Sequence, residues 1–327
     1  MTDRGQMIYL DYAASTPVDP WVVEAMTALM TADGNYSNPS STHAAGRRSV
    51  AYIAHAAGQL ASLLNTTEDT LVWTSGATES DNLAILGAAH YRRERGQHLI
   101  TMRTEHKAVT DSFSELEKQG FEVTWLDPDA SGLLDIETLR AAMREDTQLV
   151  SIMHVNNETG IIQDIQAIGA LCRENDTLFH VDAAQSCGKL PIDLGALPVD
   201  LMSVTAHKIY GPKGIGALYI ANRKGVHVEP LLFGGGQQRK LRPGTLPAQQ
   251  IVGFGATAAI AQSRLNDDFA HLTALRDRMW AGIRDIPGVM LNGDIANSFP
   301  GILNVSIEDI EGESLLLALE PLCVATG

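Results

Sequence analysis

Hydrophobic residues along this chain form short apolar runs that alternate with amphipathic stretches. The runs with strand character are Leu71–Trp73, His98–Met102, Glu122–Leu126, Gln148–Met153, Leu178–Val181, Asp200–Val204 and Gly216–Ile220. The stretches with helical spacing are Ser80–Arg93, Thr110–Gln119, Asp135–Met143 and Ile165–Arg173. Strands separated by helices of this length are typical of βαβ units. The pattern predicts an α/β fold with a mixed, mostly parallel sheet flanked by helices.

The two ends of the chain have a different pattern. Ile8–Pro17 predicts a short strand that runs into a loop, and Pro20 begins a helix whose apolar face extends to Met30. A second helix is expected over Arg47–Leu64. Beyond residue 250 the pattern predicts helices and short strands: Ile251–Gln262, Phe269–Arg284, Val289–Asn292, Ile302–Ser306 and Gly312–Leu319. We therefore expect a large domain over residues 18–263 and a smaller α+β domain formed by 1–17 and 264–327.

Composition narrows the class of protein. The 327 residues carry a formal net charge of −15, which argues against a general nucleic-acid surface. The three cysteines form no CxxC pair, so neither a disulfide framework nor a cysteine zinc site is expected, and no other metal is indicated. The first residues have no apolar core of signal-peptide length, and no apolar run reaches the length of a membrane span. We expect a cytoplasmic protein.

Lys208 lies between an apolar strand pattern and a turn rich in glycine and proline. Burial at a strand end disfavours the ammonium form of lysine and lowers its pKa. A Schiff-base lysine requires this property. A surface lysine beside a loop explains the segment equally well when it is taken alone.

Thr74-Ser-Gly-Ala-Thr-Glu-Ser-Asp-Asn82 follows a strand and begins a helix. Backbone N–H groups at a helix start, made accessible by Gly76 and Ala77 and joined by the Thr78 hydroxyl, form an anion site. Taken alone, the stretch favours an ordinary helix cap, with Ser or Thr capping and Glu79 in the first turn.

Three more polar residues follow strands. Asp182 could accept a hydrogen bond from a protonated pyridine nitrogen, or cap the next turn. His106 could stack on a flat cofactor and move protons, or simply start a helix. Asn157 could bond a ring hydroxyl or form a turn.

The joint pattern favours the chemical alternatives. The residues past successive strand ends are Thr78, His106, Asn157, Asp182, Gln185 and Lys208. Parallel sheets bind ligands at this edge. A phosphate cradle, an acid for a ring nitrogen, a stacking imidazole and a strand-end lysine together match pyridoxal 5'-phosphate.

The chain also resembles the cysteine desulfurases of the housekeeping iron–sulfur type, within the fold-type I, class V aminotransferase group. The resemblance rests on these stretches: Tyr9-Leu-Asp-Tyr-Ala, Thr74-Ser-Gly-Ala-Thr-Glu-Ser-Asp-Asn, Thr104-Glu-His-Lys-Ala-Val, Ser151-Ile-Met-His-Val-Asn-Asn-Glu, His180-Val-Asp-Ala-Ala-Gln-Ser, His207-Lys-Ile-Tyr-Gly-Pro-Lys-Gly, Arg242-Pro-Gly-Thr-Leu-Pro and Ile302-Leu-Asn-Val-Ser. They span essentially the whole chain.

The resemblance implies a role for each matching residue. Lys208 would bond covalently to pyridoxal phosphate, and His106 would stack on its ring and act in acid–base steps. Asp182 would pair with the pyridine nitrogen. Asn157 and Gln185 would contact the ring on its oxygen side, and Thr78, Thr205 and His207 would bind the phosphate. Thr245 would reach the phosphate of a neighbouring subunit. Asn38 and His43 would line the substrate entrance. Thr205 keeps a hydroxyl where many relatives have serine.

The implied reaction converts L-cysteine to L-alanine and leaves a persulfide on the enzyme. The implied partners are a second copy of the chain, an iron–sulfur scaffold protein and carriers for tRNA thiolation. The resemblance places the cysteine nucleophile and the arginine for the substrate carboxylate beyond Gly327. The alternatives are a selenocysteine lyase, another class V lyase, or a non-catalytic scaffold that retains the fold. The favoured explanation for the end at Gly327 is that the chain is the part before the loop of the nucleophile, with the rest carried elsewhere; a truncated form is the alternative.

Overall fold

The computed structural model describes residues 7–326. Residues 1–6 and Gly327 lie outside this range, together with the parts of the predicted small domain and of the N-terminal prediction that fall on them. The strands are β1 Ile8–Tyr9, β2 Leu71–Thr74, β3 His98–Met102, β4 Glu122–Leu126, β5 Thr147–Ser151, β6 Leu178–Asp182, β7 Leu201–Thr205, β8 Gly216–Ile220, β9 Val289–Leu291, β10 Val305–Ile307 and β11 Leu322–Cys323. The α-helices are α1 Pro20–Thr27, α2 Ala44–Leu64, α3 Ala77–Tyr91, α4 Lys107–Lys118, α5 Ile136–Ala142, α6 Ile165–Glu174, α7 Ala248–Ile283 and α8 Gly312–Ala318.

The central sheet has seven strands in the order β2-β8-β7-β6-β5-β3-β4. Strand β8 is antiparallel to β2 and β7, and the other neighbouring strands are parallel. The prediction of a mixed, mostly parallel sheet is confirmed. Because β2 runs in the same direction as the parallel strands, its carboxyl end meets the same edge of the sheet as theirs.

Hydrophobic cores cover both faces of this sheet. One core includes Phe179 and Val181 of β6 together with Leu60 of α2 and Phe254 of α7. The other core includes Leu178 of β6 and side chains of α3 and α4. Alternate residues of a strand point to opposite faces. His180 and Asp182 therefore share the face of Leu178, which α3 and α4 cover.

Two predicted helices differ from the structure. Helix α1 ends at Thr27, and Met30 beyond it is 60% exposed, so the apolar face is shorter than predicted. The two helices predicted after residue 250 form the single 36-residue helix α7. The intervening residues 263–268 are mostly polar but include neither glycine nor proline, so the backbone hydrogen bonding of the helix continues through them.

The C-terminal part forms two small sheets. Strands β9 and β10 pair antiparallel, and β1 pairs parallel with β11, a strand that the sequence pattern did not reveal. The pairing of β1 with β11 supports our proposal that residues 1–17 belong with 264–327. Helix α7 crosses the proposed boundary at residue 263.

None of the helices described by the structure is long and apolar enough to cross a membrane.

Candidate active site

The carboxyl ends of β2, β3, β5, β6 and β7 meet at one edge of the sheet. The predicted site residues that follow these strands are therefore brought to this edge: Gly76, Ala77, Thr78, His106, Asn157, Asp182, Gln185, Thr205, His207 and Lys208. Thr78 and His106 also line the same groove between α3 and α4.

Lys208 lies in a turn that follows β7 and is fixed by the N-terminal loop. Thr16 donates its backbone N–H and its hydroxyl to the carbonyl of His207, each at 2.9 Å. The Thr16 hydroxyl oxygen also accepts the N–H of Tyr210 at 2.7 Å, and Tyr210 has a left-handed φ of 66°. The turn is thus held on both sides of Lys208.

The side chain of Lys208 is half-buried. Burial lowers the pKa of this amine, although nearby acidic groups, Asp182 foremost, act in the opposite direction. A lowered pKa makes the neutral, nucleophilic amine more accessible at neutral pH.

Asp182 ends β6 with its carboxylate open on one side. Its Oδ1 accepts the N–H of Ala184 at 2.8 Å. In the described part of the chain no donor reaches Oδ2. The alternative role suggested by the sequence, capping of the next turn, occupies only one oxygen, and the other can accept a further hydrogen bond.

Gln185 is held by two partners, and the sequence reasoning missed both of them. Its Oε1 accepts from Nζ of Lys189 at 2.9 Å, and its Nε2 donates to the carbonyl of Ala13 at 2.8 Å. Burial of the amine, followed by the charge of Lys208, lowers the pKa of Lys189 to about 7. The spacing i, i+4 from Gln185 was the only sequence signal for this contact.

The first turn of α3 has no side-chain cap. The prediction of an ordinary Ser or Thr cap is therefore wrong: the Thr74 hydroxyl bonds instead to the Gly76 carbonyl and to Ser80. The backbone N–H groups of Ala77 and Thr78 have no partner among the described residues. Unpaired N–H groups at the start of a 15-residue helix attract an anion.

Glu79 stabilises the turn before α3. Its carboxylate accepts the N–H of Ser75 at 2.7 Å and pairs with Arg242 through two hydrogen bonds of 2.7 and 3.1 Å. Burial would raise the pKa of Glu79, but the hydrogen bonds from Arg242 and Ser75 outweigh it and lower the pKa. The Arg242 stretch is thereby tied to the anion site.

His106 and Asn157 retain free polar atoms. His106 caps α4, because its Nδ1 accepts the N–H of Ala108 at 3.1 Å, and its Nε2 has no partner within residues 7–326. The neighbouring Asn156 forms the turn after β5 through bonds from the N–H groups of Glu158 and Thr159. Asn157 itself is half-buried and bonds only Glu158 through its Nδ2.

Thr205 and His207 lie on either side of Ala206, directly before Lys208. Thr205 is buried and donates its hydroxyl to the carbonyl of Ile215 at 3.4 Å. Burial, together with the charges of three nearby lysines, lowers the pKa of His207 to about 4. His207 is therefore neutral at physiological pH and can donate only one ring hydrogen.

Asn38, His43 and Thr245 are not joined to this group by hydrogen bonds within the described residues. Asn38 accepts the N–H of Ser40, and His43 caps α2 by accepting the N–H of Gly46. Thr245 is exposed. The predicted roles of all three residues stay predictions.

Two of the three cysteines lie in the interior of the protein, as expected for structural residues. Cys172 and Cys187 are buried, and burial raises the pKa of the Cys187 thiol to about 12. Cys323 is only half-buried, on β11. A raised pKa keeps a thiol protonated and unreactive.

The donor set fits pyridoxal phosphate. The uncapped start of α3 suits a phosphate, the open oxygen of Asp182 suits a protonated ring nitrogen, and the half-buried amine of Lys208 suits a covalent bond to an aldehyde. Within the part of the chain that is described, no group of His, Cys, Asp and Glu is arranged to hold a metal ion.

In a mostly parallel α/β sheet, ligands bind at the carboxyl edge where this lysine lies. The sequence profile of the family described as "Aminotransferase class-V" matches residues 8–327. The chain therefore belongs to the class-V aminotransferase family.

Individual relatives and solved structures are more specific than the family match. The chain is 54% identical over 321 residues to "Cysteine desulfurase IscS" of Shewanella sediminis, covering 98% of this chain and 80% of that protein. It is 53% identical, with the same coverage, to the protein of that name from Escherichia coli O139:H28. A solved "NIFS-LIKE PROTEIN" has a TM-score of 0.92 at 36% identity, covering 97% of this chain and 87% of that one. A structure described as "SspA in complex with cysteine" has a TM-score of 0.86 at 37% identity, covering 98% of this chain and 89% of the other.

Proposed function

We propose that this protein is a pyridoxal-phosphate-dependent cysteine desulfurase, which converts L-cysteine to L-alanine and transfers the sulfur as a persulfide. The observation that carries the proposal is the half-buried Lys208 beside the open carboxylate of Asp182, at the edge of a sheet where an uncapped helix also begins. The names of the IscS relatives and the cysteine complex of a structural neighbour support the choice of substrate.

Four sets of side-chain and backbone groups would hold the cofactor. The N–H groups of Ala77 and Thr78, with Thr205 and His207, would bind the phosphate. Asp182 Oδ2 would accept a hydrogen bond from the ring nitrogen. Gln185 and Asn157 would contact the ring oxygen, and His106 would stack against the ring.

The bound cofactor would supply an electron sink for negative charge that develops on the substrate. The protein's own groups then move the protons. Nζ of Lys208, with its lowered pKa, can accept a proton from a carbon held above it and return it. Nε2 of His106 can exchange a proton with the leaving sulfur, because Nδ1 is already occupied by the N–H of Ala108.

The persulfide would form on the loop cysteine that the resemblance places beyond residue 327, and the sulfur would pass to an iron–sulfur scaffold or to tRNA-thiolation carriers. A homodimer is part of the proposal, with Thr245 reaching the phosphate of the partner subunit. The three free thiols support a reducing, cytoplasmic environment.

Replacement of Lys208 by alanine tests the proposal. Purified wild-type protein mixed with pyridoxal phosphate should develop an absorbance band that depends on Lys208, and this band should change on adding L-cysteine. Lys208→Ala should lose the band and lower alanine formation by at least about a hundredfold, because the covalent attachment and the proton acceptor are both removed.

Lys118→Ala is the matched control, since Lys118 is 74% exposed on α4 and pairs only with Glu115. Alanine and sulfide should be measured with L-cysteine and, in parallel, alanine and selenide with L-selenocysteine. A protein that binds no pyridoxal phosphate would contradict the proposal. Exclusive turnover of selenocysteine would replace it with a selenocysteine lyase.

A further inference from the structure

Beneath Asp182 lies a group of buried polar side chains that the proposed mechanism does not use. Asp81 on α3 and His180 on β6 are both completely buried. His180 precedes Asp182 by two residues, so both side chains point to the face of the sheet that α3 covers. The nearest approach is 3.6 Å, between Nε2 of His180 and Oδ1 of Asp81.

His180 is a neutral imidazole in this position. Its Nδ1 bonds the hydroxyl of Ser151 at 2.8 Å, and its Nε2 bonds the hydroxyl of Ser203 at 3.0 Å. Both serines are fully buried. Burial lowers the pKa of His180 to about 3. The contact between His180 and Asp81 is therefore not an ion pair.

Asp81 has little support for a negative charge: the nearby Ser203 hydroxyl favours the charged form, but burial and the charge of Asp182 outweigh it. Neither of its carboxyl oxygens has a hydrogen-bond partner among the described residues. A carboxylate buried without donors is very costly, and such a group keeps its proton instead. Burial, followed by the charge of Asp182, raises the pKa of Asp81 well above its usual range.

The groups that face Asp81 come from several elements. Asp182 and His180 approach from β6, Ser203 from β7, Lys208 from the turn after β7, and Glu105 from the segment after β3. Glu105 is also buried: its Oε1 accepts the N–H of Met153 at 2.9 Å, but its Oε2 has no partner in residues 7–326. Burial raises the pKa of Glu105 well above its usual range.

Of the three carboxyl groups, only Asp182 combines a backbone donor with an oxygen that is not sealed in the interior. The charge of Asp182 raises the pKa of both Asp81 and Glu105, so ionisation of a second carboxyl group is disfavoured. We propose that Asp81 and His180 form an uncharged polar floor beneath Asp182, which confines the negative charge of the cluster to the carboxylate that faces the cofactor ring.

Asp81 is thus a positioning residue that acts through Asp182, and this consequence for the ring rests on the proposed function. An ionised Asp81 would add a second negative charge to the cluster. This charge would compete with Asp182 for the ring-nitrogen proton and would attract the Lys208 amine. The neutral floor leaves Asp182 as the single acceptor, with its charge fixed at the end of β6.

Infrared spectroscopy of the cofactor-free protein tests whether Asp81 is protonated. In protein labelled with ¹³C-aspartate, the carbonyl-stretch band of a protonated carboxylic acid should persist at pH 8 and disappear in Asp81→Asn. The label separates Asp81 from Glu105. If wild type lacks this band at pH 8, or if the band remains in Asp81→Asn, the proposal is overturned. Absence of the band in wild type decides against the proposal even if the variant does not fold.

Thermal unfolding of the same cofactor-free proteins gives a second readout. The raised pKa of Asp81 means that folding retains a proton which the unfolded chain releases, so wild type loses stability as pH rises above the unfolded value of about 3.9. Asp81→Asn does not lose stability in this way, because it has no carboxyl group at this position. Its melting temperature should exceed that of wild type at pH 8, by a margin that shrinks toward pH 5. A margin that grows toward pH 5 would count against the floor.

In the presence of pyridoxal phosphate, the cofactor dissociation constant of Asp81→Asn should lie within about twofold of the wild-type value. The pH midpoint of the absorbance band should also be the same as in wild type, because a neutral group replaces a neutral group. Asp182→Asn should weaken binding by at least about tenfold. A shift of the midpoint by about one unit in Asp81→Asn would show that Asp81 is charged and overturn the proposal. If no cofactor binds at all, the proposed function fails while the infrared result still stands.

Discussion

At the scale of single residues, Lys189 changes the chemistry of the site most. Its amine holds Oε1 of Gln185, which turns the Nε2 of the same amide toward the carbonyl of Ala13. Burial and the charge of Lys208 lower the pKa of Lys189 to about 7. Because this amine changes charge near physiological pH, the hold on Gln185 is expected to depend on pH.

Lys189→Met should weaken cofactor binding by about tenfold at pH 6, since the loss of a hydrogen bond from a charged donor is typically about 1.5–3 kcal/mol and only part of it reaches the cofactor. In wild type the dissociation constant should change with a midpoint near pH 7, the pKa of Lys189. The variant should show no such change. Titrations of cofactor absorbance or fluorescence between pH 6 and 9 measure both effects.

Lys189→Arg should behave at all these pH values like wild type at low pH, because arginine stays charged and can still donate. Lys118→Met, at a lysine of α4 that is 74% exposed, serves as the control. A profile of Lys189→Met with the same midpoint as wild type would rule out this role.

The sequence identified the strand-end residues at this scale but not their partners. Asp182 and Lys208 could be recognised because strand patterns locate strand ends. The contact of Gln185 with Ala13 joins residues 172 apart, and that of Thr16 with His207 joins residues 191 apart. No local pattern encodes contacts of this kind, because they depend on how the N-terminal loop crosses the sheet edge.

At the scale of elements, a close approach of two backbones positions the anion site. A Cβ added at Gly216, the first residue of β8, would lie 2.7 Å from the Cα of Gly76 and 2.7 Å from the carbonyl oxygen of Val204. Gly76 itself has a φ of 155° and a ψ of −178°, a conformation open essentially to glycine. The turn before α3 therefore rests directly on β8.

Gly216→Ala should destabilise the protein by about 1–3 kcal/mol, because backbone atoms on both sides must move to admit the methyl group. The cofactor should also bind more weakly, as the turn before α3 is displaced. Chemical denaturation and cofactor titration measure the two effects.

Gly282→Ala provides the opposite case, since a Cβ at this position of α7 meets nothing within 4 Å. In an exposed helix this change should stabilise the protein by about 0.5–1 kcal/mol. Equal effects of the two substitutions would refute the packing argument.

Element types were predictable where the local pattern was strong. Strands β3, β4 and β8 have the predicted bounds, because their apolar runs are flanked by polar or turn residues. Helix α7 was divided in the prediction because its exposed surface changes from alanine-rich to charged near residue 263. Continuity of a helix depends on its backbone, which polar side chains do not interrupt.

At the scale of the whole molecule, large apolar side chains remain exposed. Trp21 is 74%, Met30 60%, Tyr36 69% and Phe233 88% exposed. Exposed aromatic side chains of this size are typical of protein interfaces. They support the proposed homodimer, in which Thr245 would complete the phosphate site of the partner subunit.

Light scattering should give a solution mass of about twice that of a single chain of the same purified protein under denaturing conditions. Phe233→Asp should shift the protein toward a monomer at micromolar concentration, because a charge would be buried in the interface. Cofactor affinity should fall in parallel if Thr245 acts across the dimer.

Leu317→Asp is the matched control for added surface charge, at a residue of α8 that is 76% exposed. A wild-type monomer, or a Phe233→Asp variant as dimeric as wild type, would contradict the proposed assembly of the interface around Phe233.

The sequence by itself determined the α/β class, the parallel sheet and the strand-end positions of Asp182, His106 and Lys208, because hydrophobic periodicity and turn residues are local properties of the chain. Only the tertiary structure decided which of these groups carry charge. Burial and the distances between charges set protonation, and both arise from contacts between distant segments. Asp81 shows the difference: in the sequence it is one acidic residue of a helix start, and in the fold it is a neutral group sealed beneath Asp182.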